Sequence, residues 1–243
     1  MTETAILMAA GMGTRMRPLT EHTPKPLIEV NGTPMIETVI SGLHQRGIRD
    51  IYIVTGYLGE QFEEVRSRHP GITLISNPDY EIKNNISSVY AAREVLGYGD
   101  TFICEADLYI SDPDIFSADL KSSCYYGRMV EGHSDDWVFD LADDGYITRV
   151  GKQGDDRYNM VGISFFRQSD ALILKDAITA AYDIPGNEQL FWDDVVNDNL
   201  DRLKLTIHPV DSSQIVEIDT CEELASVEAR LFVASNSSSV DKD

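Results

Sequence analysis

Apolar residues fall along this chain in two alternating rhythms. Ala5-Ile-Leu-Met-Ala-Ala10 is an unbroken apolar run ending at Gly11, the pattern of a strand buried on both faces of a parallel sheet. Thr33-Pro34 then reads as an N-cap followed by a first-turn proline. After it Met35, Ile36, Val39, Ile40 and Leu43 recur at helical spacing up to a stop at Gly47. Residues 51–55 predict a second strand, and Leu58, Phe62 and Val65 mark a second helix. A third strand follows at 72–75, a third helix at 86–96 and a fourth strand at 101–106. Strands alternating with helices of roughly 10–15 residues imply βαβ units and a sheet covered on both faces.

The rhythm changes after residue 120. Segments 122–130, 137–141, 146–150 and 160–166 look like strands with no helix between them, which predicts an antiparallel extension of the sheet. Helices are expected at 169–182 and 188–200, then a strand at 204–209. The last helix opens with Thr220-Cys-Glu-Glu223, a capping-box pattern, and carries Leu224, Val227 and Leu231 on one face. The fold class is therefore α/β, a mixed and mostly parallel sheet with helices on both faces and a small antiparallel extension. No repeat or linker divides the chain. Residues 1–232 are expected to form one domain, and 233–243 a disordered polar tail.

Charge narrows the partners. Forty-one acidic side chains against 20 basic ones give a net charge of −21, a field that repels nucleic acid and anionic membrane. Cys104, Cys124 and Cys221 are odd in number and widely spaced, which suits reduced cysteines and offers neither a disulfide framework nor a zinc site. No apolar stretch approaches the ~20 residues of a membrane span, and a cytoplasmic location is expected.

The sharpest chemical signal follows the first strand: Ala9-Ala10-Gly11-Met12-Gly13-Thr14-Arg15-Met16-Arg17-Pro18. Glycines after a buried strand let a backbone approach a ligand closely, and successive N–H groups can cradle phosphate oxygens. Met16 stands where a dinucleotide fingerprint needs its third glycine, and the Gly-Lys-Ser/Thr of a P-loop is absent. Arg15, Arg17 and Lys25 make residues 1–30 locally neutral within a strongly acidic chain, so an anionic substrate would be drawn here. Lys25 lies between prolines in Thr23-Pro24-Lys25-Pro26, which restricts the backbone that carries its ammonium.

Together these segments resemble the signature of the nucleotidyltransferases that make NDP-sugars and CDP-alcohols. The resemblance implies a Rossmann-like sheet and attack of a phosphate-bearing acceptor on a nucleoside triphosphate. It places Ala9, Ala10, Gly11, Met12, Gly13 and Thr14 against the nucleotide, Arg15 on the triphosphate and Lys25 at the α-phosphate. Such transfer uses Mg²⁺ to neutralise charge, held by one or two carboxylates. Asp107 follows the fourth strand and Asp219 precedes the last helix; the resemblance gives both to the metal, with Glu217 as a possible third ligand and Glu105 near the nucleotide.

A narrower resemblance, to the bacterial CTP:phosphocholine cytidylyltransferases, rests on Asn84-Asn85-Ile-Ser-Ser88-Val-Tyr90, Asp136-Trp137, Leu190-Phe191-Trp192-Asp193-Asp194 and Glu217-Ile-Asp219. It implies cytosine and ribose contacts from Asn85 and Ser88. It also implies an acceptor pocket at Trp137, Phe191, Trp192 and Asp193, where a quaternary ammonium would meet aromatic faces and carboxylates. Phe191 stands where this group is expected to carry Tyr. Phe191 with Val195, and Trp192 with Val196, also have the i,i+4 spacing of core residues. Lys152 is a candidate for the acceptor phosphate or a plain surface lysine. The expected reaction is CTP plus phosphocholine to CDP-choline and pyrophosphate. The rival acceptors are 2-aminoethylphosphonate, phosphoethanolamine or a sugar 1-phosphate, and a non-catalytic nucleotide sensor is the rival from another class.

Overall fold

A computed structural model describes the backbone of residues 2–240 and the side chains of residues 2–233. In chain order the elements are β1 (Glu3–Ala9), β2 (Glu29–Val30), β3 (Thr33–Pro34), α1 (Met35–Arg46), β4 (Ile51–Thr55), α2 (Glu63–Arg68), β5 (Ile72–Ser76), α3 (Ile86–Ala91), β6 (Asp100–Glu105) and β7 (Leu108–Ile110). Then come β8 (Cys124–Leu141), β9 (Ile147–Phe166), α4 (Gln168–Tyr182), α5 (Trp192–Asn197), β10 (Thr206–Pro209), β11 (Ile215–Glu217) and α6 (Cys221–Val240).

Seven strands form the main sheet in the order β10-β8-β9-β6-β1-β4-β5. Pairing is parallel from β6 through β1 and β4 to β5 and again between β10 and β8; β9 runs antiparallel to both its neighbours. Alternate side chains of β1 enter opposite cores. Ala5, Leu7 and Ala9 join Ile36, Val39, Ile40 and Leu43 of α1 and Val65 of α2. Ile6 joins Ile86 and Val89 of α3, Leu174 and Ile178 of α4, and Val195 and Val196 of α5. Helices thus cover both faces, as the continuous apolar run of β1 requires.

Several expected boundaries move. Thr33 is not a helix cap: it pairs with Val30 in the β2–β3 hairpin, and α1 starts after Pro34 without a side-chain cap. Asn31 (φ 49°) and Gly32 (φ 80°) turn that hairpin in the left-handed region that Asn and Gly tolerate. The third helix ends at Ala91, yet turns carry Val95 and Leu96 into the core, so their helical spacing survives without the helix. The helix expected at 188–200 starts only at Trp192, where the Asp194 carboxylate accepts the Phe191 N–H at 2.9 Å. The four short strands of the middle are two long ones, β8 and β9, paired with several bulges.

Two small features frame the site. The antiparallel ribbon β7–β11 pairs Ile110 with Ile215, Tyr109 with Val216 and Leu108 with Glu217. The capping box of α6 forms: the Glu223 N–H donates to Thr220 Oγ1 at 3.1 Å and the Thr220 N–H to Glu223 Oε2 at 3.0 Å. The helix runs into the polar tail expected at 233–243, whose side chains from residue 234 on, and residues 241–243 entirely, lie outside the described residues. Among the described residues no helix is long and apolar enough to cross a membrane.

Candidate active site

A cleft of about 340 Å³ opens at the carboxyl end of β1. Its walls are Ala9, Ala10, Gly11, Gly13, Thr14 and Arg15 from the glycine loop, Lys25 and Pro26, Asn85 and Ser88 from the start of α3, and Glu105, Asp107, Glu217 and Asp219. Met8 completes the floor. Of the sequence candidates, Met12, Trp137, Phe191, Trp192 and Asp193 are not among the residues lining this cleft.

The two glycines do different jobs. A Cβ on Gly11 would meet nothing within 4 Å, so its missing side chain leaves room on the cleft side. Gly13 has φ 58°, and a Cβ there would stand 2.9 Å from Lys25 Cβ and 3.0 Å from Thr20 Cγ2. Thr20 Oγ1 donates to the Gly13 carbonyl at 2.9 Å, pinning the loop against the Lys25 segment.

Lys25 is the centre of the site. Its side chain is buried, and its Nζ lies 2.6 Å from Asp107 Oδ2 and 2.6 Å from Asp219 Oδ1. Burial alone would lower the ammonium's pKa, but the Asp107 and Asp219 carboxylates outweigh it and hold the lysine protonated well above its ordinary range. Arg15 Nη2 reaches Asp219 Oδ1 at 2.9 Å from a largely exposed position. The β7–β11 ribbon brings the two aspartates together: Asp107 immediately precedes β7, and Asp219 lies two positions past the end of β11. Glu105 is pushed well above its ordinary pKa, chiefly by burial and then by the charges of Asp107, Glu217 and Asp193. Desolvation in the cleft, with Asp219 and Asp107, pushes Glu217 up to about 7.

Among the described residues no three His, Cys, Asp or Glu side chains converge as a ligand set. Glu217 is therefore not gathered with Asp107 and Asp219 as a third ligand; the two aspartates meet on the Lys25 ammonium instead.

The expected acceptor pocket divides. Trp192 is 3% exposed and packs into the core on Tyr125 (ring centroids 5.8 Å) and Phe166 (6.1 Å). Asp193, also 3% exposed, accepts the Tyr125 hydroxyl at 2.9 Å, and burial pushes its carboxyl up to about 7. Trp137 and Phe191 stay partly exposed and meet edge to face at 5.3 Å. The Lys152 ammonium lies 5.6 Å from the Trp137 ring and 5.0 Å from the Phe191 ring. Phe191 lies next to a residue tied to the cleft wall: the Trp192 backbone N–H donates to Oδ1 of the cleft-lining Asn85 at 3.0 Å. Asp136, beside Trp137, is close enough for its charge to raise Glu217. Sequence reasoning missed Met8 and Pro26 as lining residues, although the Pro-Lys-Pro run already marked the second. Tyr125, the hydroxyl partner of Asp193, carried no signal.

A glycine loop ending an interior parallel strand of such a sheet, with a buried lysine across two aspartates, defines a nucleotidyltransferase cleft. The MobA-like NTP transferase domain matches residues 5–130, and the chain belongs to that family. It is 57% identical over 221 residues to a 2-aminoethylphosphonate cytidylyltransferase of Lancefieldella rimae, covering 91% of this chain and 90% of the relative. It is 34% identical to a choline-phosphate cytidylyltransferase of Streptococcus pneumoniae, covering 92% and 96%. The solved structure of CTP:phosphocholine cytidylyltransferase from Streptococcus pneumoniae superposes with a TM-score of 0.87 at 33% identity, over 95% of this chain and 100% of that one.

Proposed function

We propose that the protein transfers the cytidylyl group of CTP to a small phosphorus acid bearing a primary ammonium, with 2-aminoethylphosphonate as the acceptor. One observation carries the choice of acceptor. The Trp137–Phe191 pair already accommodates a primary alkylammonium, that of Lys152, while Trp192 is withdrawn into the core. Two faces with Asp136 close by suit a primary ammonium, which gains from carboxylate hydrogen bonds as well as from ring faces. The 57% identical relative bears the same acceptor in its name.

In the reaction an acceptor oxygen attacks the α-phosphorus in line. The new P–O bond forms as the bond to the β-phosphate breaks, and pyrophosphate leaves with its electron pair. The acceptor oxygen is already ionised at neutral pH, so positioning and charge neutralisation suffice. Gly11 and Gly13 admit the phosphates to the loop, Lys25 neutralises charge at the α-phosphate, and Arg15 meets the triphosphate.

Magnesium fits the residues present. The cleft sets Glu105, Asp107, Glu217 and Asp219 against only Arg15 and Lys25, so a triphosphate entering it calls for further positive charge. Asp107 and Asp219 converge their oxygens on one cation already, and two carboxylates plus phosphates and waters are an ordinary Mg²⁺ environment. Those two would hold the ion, which supplies charge neutralisation on the triphosphate.

A second reading, phosphocholine as acceptor, is favoured by the edge-to-face aromatic pair itself. Pyrophosphate release with Mg²⁺ and CTP, measured for 2-aminoethylphosphonate, phosphocholine, phosphoethanolamine and glucose 1-phosphate, separates the readings. The proposal expects the highest kcat/KM with 2-aminoethylphosphonate. A preference for phosphocholine transfers the assignment to the second reading, and release with no acceptor overturns both.

A further inference from the structure

Lys152 occupies an unusual place for a lysine in a chain with 41 acidic residues. Among the described residues its ammonium has no carboxylate at ion-pair distance, although Asp135 and Asp136 lie just across the β8–β9 pairing, in which Trp137 faces Lys152. It stands over two aromatic rings instead.

The backbone that carries it is clamped. Arg149 donates from Nη1 to the Lys152 carbonyl at 3.3 Å and from Nη2 to the Gln153 carbonyl at 3.1 Å. Its Nε is anchored on Asp140 Oδ2 at 2.6 Å, and Asp140 Oδ1 also accepts from Arg157 at 2.8 Å. Gln153 takes the left-handed conformation at φ 66°. A Cβ on Gly151 would stand 2.6 Å from Arg149 Nη1, so a side chain there would push the guanidinium out of this position. A solvated surface lysine needs none of this.

We infer that Lys152 is the resident occupant of the acceptor's ammonium site and, by competition, weakens every ligand held there by its cation alone. The inference rests on the acceptor reading above. An incoming ammonium must displace the tethered one, so a ligand held by its cation alone binds weakly. A ligand that also engages the phosphate-binding part of the cleft can pay the cost of the exchange. Free amines and quaternary amines are thereby screened out, and phosphorylated or phosphonylated ones admitted. The apparent dissociation constant of a simple cation is the intrinsic one divided by the fraction of time the site is free. A cation–π contact of ordinary strength makes that about fivefold.

The test titrates the free protein with tetramethylammonium chloride and with ethylammonium chloride, at constant ionic strength, following Trp137 fluorescence. The buried Trp192 gives a constant background that the W137F variant measures. K152A should bind both cations about fivefold more tightly than the unmodified chain, with K152Q, which keeps the side chain's length, behaving the same way. W137A, which lacks the fluorescent reporter and is followed by isothermal titration calorimetry instead, should bind neither. Equal or weaker cation binding by K152A and K152Q overturns the inference. Because no nucleotide is present, the titration stands apart from the transfer assay. Failure of cytidylyl transfer with every acceptor would remove the proposed function while leaving the competition measurable.

Discussion

Asp193→Asn isolates one buried carboxyl. In the folded chain Asp193 is 3% exposed, its one hydrogen-bond donor from a side chain is the Tyr125 hydroxyl, and its pKa is pushed from 3.8 to about 7. Between those values the folded state holds a proton that the unfolded state has released. Stability therefore falls as pH rises through this window and levels off above it. Ionising a carboxyl displaced this far costs about 4 kcal/mol by linkage, an upper bound for one residue. Asparagine keeps the volume and still offers an oxygen to Tyr125, but gives up a charge-assisted hydrogen bond worth about 1.5–3 kcal/mol. The expected net gain for the variant is about 1–3 kcal/mol near pH 8, shrinking towards zero near pH 5. Glu105 adds to the gain in the same direction, since its raised pKa owes part to Asp193. Urea unfolding of both proteins at the two pH values reads the difference directly, with equal m-values as the control. A stability difference that does not change with pH, or a variant less stable at pH 8, would refute the account. Steady-state kinetics on the same variant bear on the site: a buried Asp193 leaves the KM for the acceptor within a few-fold.

Lys25→Met should lower kcat by about 10²–10³-fold, the usual penalty for deleting one preorganised charge at a transition state, with circular dichroism unchanged. Activity within tenfold of the unmodified chain would remove the lysine from the reaction. Gly13→Ala and Gly11→Ala should part company in a thermal melt. The first places a Cβ 2.9 Å from Lys25 Cβ at φ 58° and costs about 1–2 kcal/mol, whereas the second meets nothing and raises the KM for CTP without moving Tm. Thr220→Ala should destabilise by about 1 kcal/mol through loss of the cap on α6, read by denaturant unfolding, with kcat retained.

The cleft around β1 was legible in the sequence for a physical reason. A glycine loop works through backbone geometry and contiguous residues, so Gly11, Gly13, Arg15 and Lys25 announce themselves by local pattern. Asp107 and Asp219 were legible by their places at strand ends, although what joins them, the β7–β11 register, is a long-range pairing that periodicity does not report. The proposed acceptor half was less legible. Phe191 and Trp192 are neighbours in sequence with equally good core spacing, and only the start of α5 decides that one faces outward while the other packs on Tyr125. The Arg149–Asp140 clamp joins residues across a bulged hairpin, where no fixed spacing survives. Glu217 shows the limit of proximity. It feels the charges of Asp107 and Asp219, yet among the described residues it is not drawn into one ligand group with them.

The β7–β11 ribbon has a further consequence for how such a chain can change. The excursion from Ser111 to Gln214 leaves from one strand of the ribbon and returns to the other, and the Ser111 N–H donates to the Gln214 carbonyl at 2.9 Å where it closes. The residues proposed to read the acceptor, from Trp137 and Lys152 to Phe191, hang inside that excursion. The residues proposed to grip the triphosphate lie on or outside the three-residue seam. Insertions, deletions and rearranged pockets within the excursion leave the spacing of Asp107 and Asp219 untouched, because the seam and not the intervening chain sets it. Acceptor chemistry can therefore drift while transfer chemistry stays fixed, as with an interchangeable head on a common shank.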